Sequence, residues 1–247
     1  MLLKINKSKN IKIINNLNKF KKVLDDNIRN ENSKYDNKLE SMHNFISPKK
    51  INDLRLKSFR KINQKLDWKK YIMEICESEI TSILGSALLI QSKINLSIQM
   101  PKDKSSKLSI HSDSWSADSP FQVNLWLPLT STFDTNSMFV FSKNESLNII
   151  KKLKNNKKIN FSNLEKKIKK QNFLNTKFGE FVLFNPALLH GNVENKTSST
   201  RVSLNIRLKS MFSPEPSERN PDRRYGTYYE VLKISENTKF ALKYLDL

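Results

Sequence analysis

Three separated stretches of this chain alternate between apolar and polar residues with a period of two, and that alternation limits its fold more than any other feature. In Ile94-Asn-Leu-Ser-Ile-Gln-Met100 the residues Ile94, Leu96, Ile98 and Met100 share one side, opposite Asn95, Ser97 and Gln99. Phe121, Val123, Leu125 and Leu127 stand opposite Gln122, Asn124 and Trp126; Val202, Leu204, Ile206 and Leu208 stand opposite Arg201, Ser203, Asn205 and Arg207. Side chains of extended backbone point to alternate faces, so each stretch is read as a strand with one apolar and one polar face. An ordinary amphipathic sheet would turn its polar faces to water. The alternative is a barrel whose polar faces line an internal site while its apolar faces pack under helices. The first polar set consists of amides and a hydroxyl, whereas a solvated face of a chain with 36 lysines among its 44 basic residues should carry lysine. The barrel is therefore the expected arrangement.

Two further strands are expected, at Ser137-Met-Phe-Val-Phe-Ser142 and, entered by a glycine turn, at Phe178-Gly-Glu-Phe-Val-Leu-Phe-Asn-Pro186. Residues 1 to about 65 read as helices separated by polar turns, with Ile11, Ile13, Ile14, Leu17, Phe20 and Leu24 at mostly helical spacing. From Trp68 to about Leu84 a single apolar stripe runs at a period near 3.6, and Gly85 is expected to end that helix. Segment 143–177 holds eleven lysines against Glu145 and Glu165 and reads as two basic amphipathic helices at the barrel's edge. A proline- and charge-rich stretch from Met211 to Tyr225 could close over a pocket mouth or be passive. At 247 residues, 37% of them hydrophobic, one domain is expected. Its layout is mainly β with flanking helices: a helical N-terminal region over 1–86, a double-stranded β-helix (jelly-roll, cupin-like) core over 87–212 with a helical insert at about 145–172, and a C-terminal loop and helix over 213–247.

A net charge of +20 attracts polyanions. Only 8 of the basic residues are arginine, however, and specific phosphate recognition leans on arginine's planar fork, so a small molecule is preferred to nucleic acid as partner. Cys76 stands alone, which removes any disulfide framework and points to a reducing compartment. No stretch has signal-peptide character or the length of a membrane span, and a cytoplasmic location is expected. Oligomeric state is not legible.

The chain has three histidines. His43, just ahead of Pro48, carries no neighbouring ligand and reads as a surface or capping residue. His111 and Asp113, two apart in an extended segment, point to the same side and can reach one metal ion. His190 would come alongside from a distant strand. Two imidazoles and one carboxylate with open positions left over form the ligand set of non-haem Fe(II) oxygenases. His-x-Asp alone arises often by chance, and Arg201 could be a plain surface arginine and His190 a plain turn histidine. Their order and spacing weigh against both. An always-charged fork near the metal is a natural clamp for the distal carboxylate of 2-oxoglutarate, and Ser203, two residues on, shares its face.

His111-x-Asp113, then His190, then Arg201 eleven positions on and Ser203 after it, resembles the Fe(II)/2-oxoglutarate-dependent dioxygenases, specifically the phytanoyl-CoA-dioxygenase-like branch. The run His-Ser-Asp-Ser-Trp-Ser-Ala-Asp-Ser-Pro-Phe-Gln-Val-Asn-Leu-Trp-Leu-Pro-Leu is similar, more narrowly, to oxygenases of sporadic carbohydrate-biosynthesis clusters. The resemblance covers about residues 90 to 210. It implies that His111, Asp113 and His190 hold iron, that Arg201 and Ser203 hold the 2-oxoglutarate C5 carboxylate, and that Gln99, Asn124 and Ser137 contact co-substrate or substrate. Trp126 would wall the pocket, and Trp115, Asn205 and Arg207 are further candidates toward the substrate. Many relatives carry Pro-Gly-Ser-His after the strand at Ser137, where this chain has Phe-Ser-Lys-Asn. The implied activity uses O2 and 2-oxoglutarate to oxidise an unactivated C–H bond, and hydroxylation is favoured over halogenation because halogenating members lack the Asp113 carboxylate. Two rivals remain: a nucleic-acid-modifying oxygenase and a cupin-like binding protein without turnover.

Overall fold

The computed structural model describes residues 3–7, 10–116, 118–155, 158–214 and 225–245. Its hub is a ten-residue strand, β8 (Arg201–Ser210), in which all the apolar residues of the alternating stretch face one way. Along one edge β8 pairs with β4 (Val123–Pro128), from Val123 opposite Leu208 to Pro128 opposite Ser203. Along the other edge it pairs first with β3 (Asn95–Gln99), Gln99 opposite Arg201, and then with β2 (Leu88–Gln91), Leu88 opposite Ser210. The sheet extends from β4 through β6 (Phe181–Phe184) to β1 (Leu3–Asn6), and from β2 to β9 (Tyr229–Lys233), with every pairing antiparallel. A second, smaller sheet joins β5 (Met138–Val140) to β7 (His190–Asn192) and gains an antiparallel bridge between His111 and His190. The two sheets make a jelly-roll.

The apolar face of the large sheet lies under three helices, α1 (Ile11–Glu31), α2 (Pro48–Lys65) and α3 (Trp68–Leu84). Leu17, Phe20 and Leu24 from α1, with Ile62 and Ile72, join Leu125, Leu127, Leu204 and Ile206 in one core. Asn27 donates to Ser58 Oγ at 2.9 Å, which satisfies a polar pair between α1 and α2 inside that core. Gly85 ends α3 in the left-handed region, φ +83°, with its N–H on the Thr81 carbonyl. Leu204→Ala at the centre of β8 is expected to cost about 2–5 kcal/mol in a denaturant titration, the usual range for emptying a fully buried leucine.

Several elements differ from the expectations of the sequence. The N-terminal region is not helical throughout, since β1 adds a strand to the large sheet; four residues are too few for an alternation to register. Phe121 lies in the turn before β4, 55% exposed, so the strand starts two residues later. The lysine-rich segment folds as α4 (Lys143–Lys154) and a five-residue α5 (Phe161–Glu165). Helix α6 (Glu236–Tyr244) buries none of its residues. Residues 215–224 of the proline-rich stretch, read as a possible pocket closure, lie outside the described residues. No described helix is long and apolar enough to cross a membrane.

Candidate metal centre

Much of the polar face of the large sheet is buried. Gln99, Gln122 and Asn124 are fully so, and Arg201 and Ser203 are 3% and 2% exposed. Against it stand His111, Asp113 and His190, whose ligand-type atoms all lie within 4.8 Å of one another, and among the described residues they are the only such group that could hold a metal ion.

The backbone brings the three together in two ways. His111 and His190 exchange N–H···O bonds at 3.0 and 2.9 Å across their bridge, which sets the rings 4.4 Å apart. The chain then leaves the extended conformation, and Asp113 opens a 3-10 turn, Asp113–Ser116. Its N–H and the Ser112 hydroxyl both donate to the Pro186 carbonyl, at 3.1 and 2.9 Å, so the turn is tied to the loop that leads to His190. Close approach at Gly191 is required for the bridge. A Cβ there would stand 2.6 Å from the Leu108 carbonyl oxygen, 2.8 Å from the Phe139 ring and 3.0 Å from the Ser109 carbonyl oxygen. Gly191→Ala is therefore expected to push the His111 segment off β7. It should lower the melting temperature in calorimetry by about 2–12 °C, given roughly 1–3 kcal/mol for overpacking and 2–4 °C per kcal/mol at this size.

Each imidazole has its tautomer fixed. Nδ1 of His111 lies 2.8 Å from the Ser109 carbonyl and Nδ1 of His190 lies 2.8 Å from the Leu188 carbonyl. A carbonyl only accepts, so both Nδ1 atoms carry the proton and both Nε2 lone pairs face inward. These Nε2 atoms stand 3.5 and 3.7 Å from the same oxygen, Asp113 Oδ1. The other oxygen, Oδ2, accepts from Asn124 Nδ2 at 2.5 Å and lies 3.4 Å from Arg207 Nη2. The carboxylate is thus divided: one oxygen faces the histidines and the other is occupied by protein donors.

Electrostatics follow from burial and neighbours. Burial raises the Asp113 pKa, but His111, His190, Arg207 and Asn124 outweigh it and hold the carboxyl well below its usual range. Burial dominates at His190 and takes it down to about 4, against the pull of Asp113. His111, less covered, moves the other way: burial lowers it, and the Asp113 and Ser109 contacts more than compensate. At neutral pH His190 is a neutral imidazole. Arg207 is raised because Asp113, Tyr228 and Asp118 overcome its burial, and its Nε donates to Asp118 Oδ2 at 2.7 Å.

Arg201 is the contrast. Its guanidinium is buried, its Nη2 donates to Ser97 Oγ at 3.3 Å, and its Nε has no partner. No carboxylate among the described residues pairs with it, and burial alone lowers its pKa to about 10. Beside it, across the β3–β8 pairing, Gln99 donates to the Val193 carbonyl at 2.6 Å while its Oε1 has no partner. Farther along β8 the Asn205 side-chain oxygen is also without one. Trp126 is buried with Met138, Val140, Leu174, Val182 and Phe184, and the Phe184 ring lies edge-on to His190 at 5.0 Å. Ser137 is fully buried, and its hydroxyl donates to the Leu174 carbonyl at 2.5 Å. Trp115 is 44% exposed, edge-on to Phe161 of α5. His43 lies away from the group, with Nδ1 2.9 Å from Thr200 Oγ1. Asp118, Gln122 and Phe184 have places here that the sequence did not single out; only Gln122 carried a signal, as a member of a polar strand face.

No protein-family model and no curated protein matches the chain. The combination of a jelly-roll with a His-Asp-His group facing its interior defines a fold shared with non-haem oxygenases. The solved structures similar to it include a non-haem monooxygenase, ThoJ, as its nickel complex (TM-score 0.53, 16% identity, 90% of this chain and 77% of that one) and in its apo form (TM-score 0.55, 15% identity, the same coverage). At this identity the likeness is one of fold.

Proposed function

We propose that the chain is an Fe(II)/2-oxoglutarate-dependent dioxygenase that hydroxylates an unactivated C–H bond of a small molecule. The observation that carries this reading is the buried, carboxylate-free Arg201. It stands on the same face of the same strand as Arg207, which touches Asp113. A desolvated cation with an unpartnered nitrogen is costly unless an anion comes to it, and a dicarboxylic keto acid is such an anion. The donor set agrees: two neutral imidazoles and a carboxylate suit Fe(II) and leave open positions.

His111, Asp113 and His190 would hold the metal through two Nε2 atoms and Oδ1, and Arg201 with Ser203 would hold the C5 carboxylate of 2-oxoglutarate. When bound, iron with 2-oxoglutarate and O2 supplies an oxidant for C–H bonds and releases succinate and CO2. Ser109 and Leu188 keep the imidazoles oriented; Asn124 and Arg207 keep Asp113 Oδ2 engaged, which would leave Oδ1 for the metal. Phe184, buried with Trp126, covers the His190 ring and would keep water from that side of the metal. Because Asp113 retains its carboxylate, no position is vacated for a halide, which favours an alcohol as product.

A hydroxyl-bearing metabolite, such as a sugar of surface-polysaccharide biosynthesis, suits a site that combines the buried Gln99 amide and the half-buried Asn205 amide with the exposed Trp115 ring. The buried Cys76 thiol, pushed well above its usual pKa by burial, suits a reducing cytoplasm. Anaerobically purified protein given Fe(II), 2-oxoglutarate and then air is expected to form succinate slowly even without substrate. Sugar metabolites screened with it should include one that gains the mass of an oxygen atom. Protein that binds no iron, or that keeps 2-oxoglutarate when metal-free and forms no succinate, would instead be a cupin-like binder.

A further inference from the structure

The second oxygen of Asp113 is the end of a line of buried polar groups. Tyr229, in the first position of β9, donates its phenol to Gln122 Oε1 at 2.6 Å. Gln122 donates through Nε2 to Asn124 Oδ1 at 3.0 Å, and Asn124 donates through Nδ2 to Asp113 Oδ2 at 2.5 Å. Tyr229 is 2% exposed and both amides are fully buried, so no water competes along the line. The geometry points to Tyr229 as a positioning residue, whose phenol acts through the Gln122–Asn124 amide relay to keep Asp113 Oδ2 engaged and only Oδ1 available to a metal ion. The inference rests on the proposed metal role of Asp113.

The polarity of this relay is fixed from its acidic end. An ionised carboxylate only accepts, so Asn124 must turn its Nδ2 toward it and its Oδ1 toward Gln122. Gln122 must then offer Nε2 to Asn124, which leaves Oε1 to be satisfied by a donor. The phenol is that donor, and all three hydrogen bonds run the same way, an arrangement in which each polarises the next. Without the phenol the Gln122 oxygen is buried and unpartnered, and turning that amide over would set its oxygen against the Asn124 oxygen. Freed from Asn124, Oδ2 could also approach the metal, and a bidentate Asp113 would fill a position that keto acid or O2 requires. Arg207 occupies the same oxygen at a longer distance, 3.4 Å, and is held by Asp118, so it does not replace the relay.

Titration of the metal-free chain with Co(II), followed by calorimetry and by the visible ligand-field spectrum, tests this. Tyr229→Phe is expected to weaken Co(II) binding about 10-fold, the low end of what loss of an outer-shell partner does, and to shift the ligand-field bands. In an Asn124→Leu background, where the relay is already cut, the same substitution should change affinity less than about twofold. An unchanged Tyr229→Phe affinity, or the same loss in both backgrounds, overturns the relay. Should Tyr229→Phe fail to fold, Gln122→Met cuts the middle link and carries the same expectations. A wild-type chain that takes up no Co(II) refutes the metal reading itself, whereas wild-type uptake with an indifferent Tyr229→Phe refutes the relay alone.

Discussion

His190→Ala is expected to lose Fe(II) binding and all iron- and 2-oxoglutarate-dependent succinate formation. Removing an outer-shell partner weakens a metal site by roughly 10- to 100-fold, and removing a ligand must exceed that. The substitution leaves only His111 and one oxygen of Asp113 around the site, too few to hold a weakly bound divalent ion at the low end of the affinity series. Calorimetric titration with Fe(II) under anaerobic conditions, beside a succinate assay, reads both effects. Succinate formation at the wild-type rate would sink the proposed function. The fold should persist, because the His190 backbone, not its ring, makes the bridge to His111.

Arg201→Met is expected to have two effects of opposite sign. Affinity for 2-oxoglutarate should fall by at least about 30-fold, the counterpart of the 2 kcal/mol or more that follows loss of one member of a buried charge pair. Stability of the protein without co-substrate should stay level or rise, since a desolvated guanidinium with no carboxylate partner gives way to an apolar chain of similar length. At about 2–4 °C per kcal/mol for a chain of this size, such a gain is visible in a thermal scan. A lower melting temperature with unchanged 2-oxoglutarate affinity would make Arg201 a structural residue pinned by Ser97.

Arg201 was open to sequence reasoning because it sits on a regular alternation, and His190 because of its order and spacing relative to His111, Asp113 and Arg201. The inward set of β8, Arg201 to Arg207, follows from period two alone, and the helical stripe that ends at Gly85 from a period near 3.6. Other parts left no such trace. His190-Gly-Asn192 is a strand too short and too polar to alternate, and its pairing with His111 depends on the close approach of Leu108, Ser109 and Phe139 to Gly191, which only the packed structure reveals. The extended His111-x-Asp113 geometry was half right in kind: the two side chains converge, but through a bridge followed by a 3-10 turn. Arg207 and Asn124 stood among candidates toward substrate or co-substrate, and both reach Asp113, because register across β4 and β8 sets them opposite one another. Tyr229 gave no signal, since nothing in its local sequence says that β9 returns to the edge of β2.

The place of β1 in the sheet also bears on how the chain is made. Leu3 pairs with Phe184, a partner about 180 residues later in the sequence. At roughly 5–20 residues per second, a ribosome exposes this strand for some 10–35 s before β6 exists to receive it. The helices α1 to α3 follow directly and can begin to cover one another in that interval. The hub strand β8 emerges later still, so the sheet they will roof cannot close before Arg201–Ser210 has been made.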